Sequence, residues 1–196
     1  FYIGSDIDGS PVITSDSCIL QSIERQYIPG KGGVYKFNPS LPPDSSVVWY
    51  FPVGNKKYAG WEGGIIGSVC VNDYYVADSI PKLAAFVGID GYMYVIQHDV
   101  YYADSLSLGP DDRTYYPTPK LVFKYKTGPS ISTPIFINNT IIAATYNGIY
   151  LFRHNDNLEF ELVAERPGEF ESTPISYNGR IYIASRNGYM YCLGDK

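Results

Sequence analysis

Short runs of β-branched and aromatic residues recur along this chain, and turn residues separate them. The clearest series is at residues 173–177, 180–185 and 189–193, where Asn178-Gly179 and Asn187-Gly188 lie between the runs. Asn-Gly is the strongest short hairpin signal, because both residues of a tight turn must accept positive φ. The pattern therefore predicts three short antiparallel strands joined by tight turns.

The same series occurs earlier in the chain at a constant offset. Thr133-Pro134 is repeated as Thr173-Pro174, and Asn147-Gly148 is repeated as Asn187-Gly188, so the period is 40 residues. This period is typical of a four-stranded propeller blade. Looser copies begin upstream. We therefore predict a single propeller domain, or part of one, with four blade equivalents at about residues 5–51, 64–125, 129–163 and 170–196.

The two ends of the chain leave the size of the ring open. An outer strand follows the third strand in the first three copies, at residues 47–51, 121–125 and 160–163, but the fourth copy has none. Residues 1–3 have the apolar character of such a strand. Either they close the fourth blade of a small ring, or the chain is part of a larger ring of about seven or eight blades. In both cases the predicted fold is an all-β propeller of four-stranded antiparallel blades.

Composition supports an all-β fold and excludes one class of partner. The 196 residues include 20 Tyr, 9 Phe and 2 Trp together with 19 Gly and 14 Pro, as expected for strands joined by many turns. No apolar run approaches the length of about eighteen residues that a membrane-spanning helix needs, so we predict no transmembrane segment. The net charge of −5 comes without the basic stripe that nucleic acid binding requires, so we predict no nucleic acid partner.

The spacing of cysteine and histidine residues indicates neither a metal site nor a general base. Cys18, Cys70 and Cys192 are far apart and lie in apolar runs, so we expect buried free thiols and no zinc site. His98 and His154 follow predicted third strands, where we expect solvated loop residues. We therefore predict no catalytic residue. Large aromatic residues of the outer strands, Trp49, Phe123 and Phe160, are expected to pack between blades.

The repeat itself resembles a known family. Each copy has Ser/Thr-Pro or a related start, a strand such as Ile-Tyr-Ile-Ala, an Asn-Gly or Asp-Gly turn, a strand such as Tyr-Met-Tyr-Cys-Leu, and in three copies an outer strand with Trp or Phe. This pattern resembles the PQQ-like repeat of quinoprotein alcohol dehydrogenase-like propellers and of non-enzymatic BamB-type propellers. The match is strongest over residues 128–193. The family's Asp-x-x-Thr-Gly turn before the outer Trp is replaced here by Asn38-Pro39-Ser40.

The resemblance implies an exported protein, in the periplasm, at the outer membrane or on the cell surface. For the enzymatic members it also implies a disulfide between adjacent cysteines under the cofactor, a Trp floor, and a calcium ion beside a catalytic Asp. This chain has no neighbouring cysteine pair. We therefore expect no PQQ cofactor and no enzyme activity, and keep a fragment of a PQQ-dependent oxidoreductase as the alternative.

Candidate binding residues lie in two classes of loop that open on one face of a propeller, around its central channel. The first class joins an outer strand to the next inner strand, and the second joins the second and third strands. Together these loops carry the predicted binding residues Asp6, Asp8, Tyr58, Trp61, Glu62, Glu169 and Glu171 in the first class, and Glu24, Arg25, Tyr27, Lys31 and Asp90 in the second.

Three interpretations of these residues are open. The carboxylates satisfy backbone N–H groups of nearby turns, as short polar side chains in loops commonly do. Alternatively they hold a hard cation such as Ca²⁺, although Asp6-Ile7-Asp8-Gly9 is only a fragment of a calcium loop and we predict no metal. The third interpretation is recognition of a peptide or sugar by Trp61 and Tyr27 together with flanking polar groups. We predict a non-catalytic binding scaffold for a protein or peptide partner, with a carbohydrate-binding or structural extracellular module as a further alternative.

Overall fold

The computed structural model describes residues 1–77 and 80–194, and within them the regular secondary structure is β apart from one 3₁₀ turn. Four antiparallel sheets follow one another along the chain, three with four strands and the last with three. This arrangement confirms the predicted all-β fold built of propeller blades. Over the described residues, no helix is long and apolar enough to cross a membrane.

Strand order within each sheet is the same as strand order along the chain, so each sheet is a simple meander. Blade 1 contains β1 (Val12–Ile13), β2 (Ile19–Ile23), β3 (Gly33–Phe37) and β4 (Val47–Pro52), with a 3₁₀ turn at Pro43–Ser45. Blade 2 contains β5 (Cys70–Val71), β6 (Leu83–Val87), β7 (Tyr92–Leu108) and β8 (Tyr115–Lys126). Blade 3 contains β9 (Ile135–Ile137), β10 (Thr140–Ala144), β11 (Gly148–His154) and β12 (Phe160–Pro167). Blade 4 contains β13 (Ile175–Tyr177), β14 (Arg180–Ala184) and β15 (Met190–Leu193).

The hydrophobic core consists of layers between neighbouring blades. Three clusters of buried side chains join blade 1 to blade 2, blade 2 to blade 3, and blade 3 to blade 4. Trp49 is fully buried in the first layer, and in the second Phe123 stacks on Phe160 with ring centroids 4.5 Å apart. The prediction that these three residues pack between blades is confirmed. Each such side chain contributes roughly 1.5–3 kcal/mol when buried.

Blade 4 has no fourth strand within the described residues, and the last two residues of the predicted unit, 195–196, lie outside them. Residues 1–3, which the sequence offers as a closing strand, do not form a strand. The ring of Phe1 instead packs on Tyr35 and Phe37 of blade 1, at centroid distances of 5.6 and 5.0 Å. The structure therefore places the first residues of the chain on blade 1.

Residues 97–119 form an extension of the β7–β8 hairpin that reaches blade 1. Tyr116 of β8 packs edge-on against Tyr35 at 5.5 Å and also contacts Tyr50 at 6.4 Å. At the tip, the Gly30 N–H donates to the Pro110 carbonyl at 3.0 Å. A Cβ at Gly30 would lie 2.7 Å from the Gly109 carbonyl oxygen, so only glycine allows this approach.

A buried polar network joins blade 1 to blade 2. Lys36, which is 2% exposed, donates to Asp16 at 2.6 Å and to the His98 carbonyl at 3.1 Å. His98 Nε2 lies 2.7 Å from an Asp73 carboxylate oxygen, and the Trp49 indole N–H donates to the His98 carbonyl at 3.0 Å. Polar groups removed from water need such partners, and here the bonds that Lys36 and Trp49 donate to the His98 carbonyl cross from blade 1 to blade 2.

The prediction that His98 and His154 are solvated loop residues is wrong. His98 is 1% exposed and His154 is 5% exposed, because strands β7 and β11 extend to include them. Lys36 and Trp49 of blade 1 cover His98, and Phe136 and Phe160 of blade 3 pack on the ring of His154. The cysteine prediction is correct only in part. Cys18 is buried, Cys70 is half-buried and Cys192 is exposed on β15, and all three are free thiols.

We expect the Asp73→Asn substitution to lower the free energy of unfolding by about 1–3 kcal/mol at pH 7. Burial alone would raise the pKa of Asp73, but hydrogen bonding to His98 and the Ser15 N–H outweighs it and holds the pKa below the usual 3.8. A lowered folded-state pKa stabilises the fold above the unfolded-state pKa, and this stabilisation is lost as the pH falls through the folded-state pKa. Denaturation of the wild type should therefore show a loss of stability below about pH 4 that is smaller in the variant. Asp99→Asn, at an exposed position of β7, serves as the control and should match the wild type.

Candidate functional site

Three carboxylates meet where the first residues of the chain cross the end of β2. One carboxylate oxygen each from Asp6, Asp8 and Glu24 lies within 4.8 Å of the others. Asp6 and Asp8 are exposed, whereas Glu24 is 5% exposed. The Ser5 hydroxyl donates to the carbonyls of Glu24 and Gln26, and the Glu24 N–H donates to the Asp6 carbonyl at 3.4 Å. The backbone therefore holds the three carboxylates together.

The loop that leads into blade 2 packs against Glu24. Gly64 forms an isolated bridge with Glu24, and its φ of +81° together with its position allows only glycine. A Cβ at Gly64 would lie 2.6 Å from both the Arg25 nitrogen and the Ile23 carbonyl oxygen. The backbone of the loop before β5 therefore packs closely against the end of β2, beside the buried Glu24.

The environment of Glu24 disfavours its charged form. Burial, and then the charges of Asp8, Asp6 and Glu62, raises the pKa of Glu24 to about 7. In the described part of the chain, no Lys or Arg pairs with any of the three carboxylates. This oxygen-rich group is suited to hold a cation, either a hard metal ion or the charged group of a Lys or Arg side chain.

Next to this acidic group, Glu62 is held by two cations. Lys57 Nζ lies 2.7 Å from one Glu62 oxygen, and Arg25 Nη1 lies 3.9 Å from the other. The hydrogen bond and charge of Lys57 lower the pKa of Glu62. The Arg25 N–H also donates to the Gly63 carbonyl at 2.9 Å. Because these pairs are exposed, they orient the loop more than they stabilise the fold.

Aromatic residues extend from this acidic group toward blades 3 and 4. Tyr58 and Trp61 form a tight hairpin with two backbone hydrogen bonds of 3.0 Å. Their rings cover Tyr146, at centroid distances of 4.9 and 6.1 Å. Tyr146 in turn donates to Glu171 at 2.5 Å, and the Arg186 guanidinium lies 5.7 Å from the Tyr146 ring centroid. Burial and the Glu171 carboxylate raise the pKa of Tyr146 above its ordinary value.

These contacts form one continuous row of loop residues that draws on all four blades. We call it the loop surface, and it consists of Asp6, Asp8, Glu24, Arg25, Lys57, Tyr58, Trp61, Glu62, Tyr146, Glu171 and Arg186. Its two ends are chemically different. The blade 1 end carries three carboxylates that form no ion pair with a described Lys or Arg, and the other end is a strip of tilted aromatic rings next to the Arg186–Glu171 ion pair of 3.4 Å.

Other predicted residues lie outside the loop surface. Asp90 is 6% exposed, and its carboxylate accepts hydrogen bonds from the Gly54 and Tyr92 N–H groups and from the Tyr94 hydroxyl, so it organises a turn. Tyr27 is 84% exposed. The Lys31 carbonyl accepts a hydrogen bond from the Tyr50 hydroxyl. Glu169 faces blade 4, where its carbonyl accepts from Ser185 and Arg186.

Tyr146 and Arg186 were missed by the sequence predictions. Both precede the Asn-Gly turn of their blade, and they are separated by the repeat period of 40 residues. They therefore occupy the same place in consecutive blades, in a class of loop that was already expected to open on the channel. The repeat register was the signal that could have identified them.

Comparison with known proteins gives a fold neighbour. No protein-family model and no curated protein matches this sequence. Among solved structures, the chain is similar to the crystal structure of BamB from Moraxella catarrhalis, with a TM-score of 0.63 and 10% sequence identity. The similarity covers 99% of this chain and 48% of that one, so the chain spans about half the length of BamB. At this identity the likeness shows the propeller-like fold alone.

We expect the wild type to lose stability between pH 5 and pH 8, and the Glu24→Gln variant to lose less. The folded-state pKa of about 7 exceeds the usual 4.5, so the group stabilises the fold fully below pH 4.5, and this contribution is lost as the pH rises to about 7. Chemical denaturation at the two pH values should show a larger loss for the wild type than for the variant. Glu161→Gln, on an exposed part of β12, is the matched control, and identical pH dependence in all three proteins would contradict the prediction.

Proposed function

We propose that this chain is a non-catalytic propeller module that binds a protein or peptide partner on its loop surface. The observation that carries the proposal is the convergence of loops from all four blades into one row of contacts, from Asp6 on blade 1 to Arg186 on blade 4. Loops on a rigid β scaffold are the usual place for binding residues. The exported location implied by the repeat is part of this proposal.

The two ends of the loop surface suggest the chemistry of the partner segment. Trp61 and Tyr58 are partly exposed rings on a fixed hairpin, and aromatic residues of this kind supply contact area at a low cost in conformational entropy. The three carboxylates beside Glu62 favour a cationic side chain. We therefore propose a partner segment that places an apolar residue on Trp61 and a Lys or Arg near Asp8.

The rest of the surface supports binding without rearrangement. Tyr146 is 5% exposed and packs against the ring of Trp61. Glu171 of blade 4 accepts a hydrogen bond from Tyr146 and forms an ion pair with Arg186. A surface whose aromatic residues are already ordered loses little entropy when a partner binds.

We expect the Trp61→Ala, Glu62→Ala double variant to retain about tenfold less of the partner than the wild type in quantitative affinity capture, because central aromatic residues dominate binding energy. The melting temperature should change little, since both side chains lie in a surface loop. Tyr101→Ala, at a 47% exposed position on the β7–β8 hairpin, is the control and should bind normally. A large fall in melting temperature for the double variant would instead make Trp61 a core residue.

The oxidoreductase alternative makes a separate prediction. Protein incubated with PQQ and Ca²⁺ and then passed over a gel-filtration column should retain no quinone absorbance. It should also show no dye-linked dehydrogenase activity with alcohol substrates. Either signal would reject the non-catalytic proposal, and a known quinoprotein treated in the same way serves as the positive control.

A further inference from the structure

A cleft at the junction of blades 1 and 2 is lined by several lysine side chains. It has a volume of about 540 Å³, which lies in the range of small-molecule sites. Its lysines, Lys31, Lys56 and Lys124, come from three separate segments, since the first precedes β3, the second follows β4 and the third lies on β8. Blades 1 and 2 each have four paired strands, so four-stranded sheets position the residues of this cleft.

The three lysines of this cleft are not neutralised by a neighbouring carboxylate. Among residues 1–77 and 80–194, the ion pairs with aspartate or glutamate are made by other cations, and none of Lys31, Lys56 and Lys124 takes part in one. The chain as a whole carries a net charge of −5. The cleft is therefore a local concentration of positive charge in an acidic protein, and a concave site with one sign of charge attracts ions of the opposite sign.

Among the described residues that line the cleft, Asp90 carries the only carboxylate, and this carboxylate is already engaged. It accepts hydrogen bonds from the Gly54 N–H at 2.9 Å and the Tyr92 N–H at 3.2 Å, and from the Tyr94 hydroxyl at 2.5 Å. These bonds use both of its oxygens, and Asp90 is only 6% exposed. Asp90 therefore fixes the backbone of the cleft and does not pair with a lysine.

Aromatic rings hold Lys124 in place. Its Nζ lies 4.2 Å from the ring centroid of Tyr92 and 5.0 Å from that of Tyr94, and both rings line the cleft. Cation–π contacts of this kind keep the charge at a fixed position. Phe51 and Leu121 also line the cleft and add apolar surface. The cleft therefore offers an ordered cation together with apolar area for the body of a ligand.

The type of cation indicates the type of anion. A lysine ammonium group is a compact point charge with three donors and is a common phosphate ligand, whereas arginine has the planar fork that matches a carboxylate. No arginine of the described chain lines the cleft. Because the three lysines come from different segments, a ligand that contacts all of them carries more than one anionic group.

We propose that this cleft binds a small polyanion that carries two or more phosphate or sulfate groups, with Lys31, Lys56 and Lys124 as its charged contacts. Charge-assisted hydrogen bonds from the lysines provide the affinity, and the apolar surface beside them contacts the body of the ligand. None of the residues that line the cleft belongs to the loop surface, so this proposal does not depend on the proposed function.

The probes are sodium tripolyphosphate, in which phosphate groups are joined in a row, and sucrose octasulfate, which carries sulfate esters on a compact body. We expect at least one of them to bind the purified chain in isothermal titration calorimetry in a metal-free buffer. The affinity should fall as the NaCl concentration rises, because salt screens the charges of the lysines. The probe that binds more tightly identifies the preferred group. If neither probe binds, the proposal is wrong.

Substitution of the lysines tests whether binding takes place in the cleft. The Lys31→Gln, Lys56→Gln double variant should raise Kd about tenfold or more, because it removes two charged donors. Its matched control is Arg153→Gln, Arg180→Gln, which removes two positive charges from exposed positions on blades 3 and 4 and should raise Kd by less than about twofold. An equal loss of affinity in both double variants would mean that the probe responds only to net charge, and would overturn the proposal.

Lysine acetylation locates the bound probe without any substitution. At a probe concentration about ten times Kd, about a tenth of the chains stay free, so acetylation of Lys31, Lys56 and Lys124 should slow about tenfold. Mass spectrometry of proteolytic peptides measures the rate at each lysine. Lys57 follows Lys56 in sequence but bonds to Glu62 outside the cleft, so it is the internal control and should react at an unchanged rate. Equal protection of Lys57, or no protection of the three cleft lysines, would contradict the proposal.

Discussion

The packing of alternate side chains between neighbouring blades is the interaction on which the rest of this structure depends. A sheet of three or four short strands has too little buried surface to be stable alone, and each blade here buries one face on the next. The clusters around Trp49 and around Phe123 with Phe160 are therefore shared between blades. Because the layers fix how adjacent blades are oriented, they also fix which loops meet at the channel.

The loop surface is a direct result of this arrangement. Trp61 and Tyr58 come from the loop between blades 1 and 2, Tyr146 comes from blade 3, and Glu171 and Arg186 come from the start and the hairpin of blade 4. None of these residues is close to all the others in sequence. The blades bring them together, and the Tyr58–Trp61 hairpin extends across the junction to cover the ring of Tyr146.

Local signals in the sequence were sufficient for the strands of blade 4 and their order, whereas contacts between distant residues could not be predicted from it. The Asn-Gly turns and the period of 40 residues predicted β13, β14 and β15 to within two residues at each end, because a tight turn and an alternating pattern are properties of a few neighbouring residues. The burial of His98 depends on Lys36 and Asp73, which are far away in the chain. Likewise, the raised pKa of Glu24 depends on Asp8 and on the approach of Gly64, and nothing in the residues around Glu24 reveals either.

The extended β7–β8 hairpin also links blades 1 and 2 during folding. Tyr116 packs against the buried rings of Tyr35 and Tyr50 of blade 1, and the Gly30 N–H donates to the Pro110 carbonyl. Blade 1 therefore cannot reach its final packing before the chain has been synthesised beyond Tyr116. Contacts between such distant residues slow folding, and they make the first two blades a single cooperative unit rather than two successive ones. In an ordinary array of repeats, each repeat is stabilised by its immediate neighbour. Here blades 1 and 2 fold together, and blades 3 and 4 can then add to them.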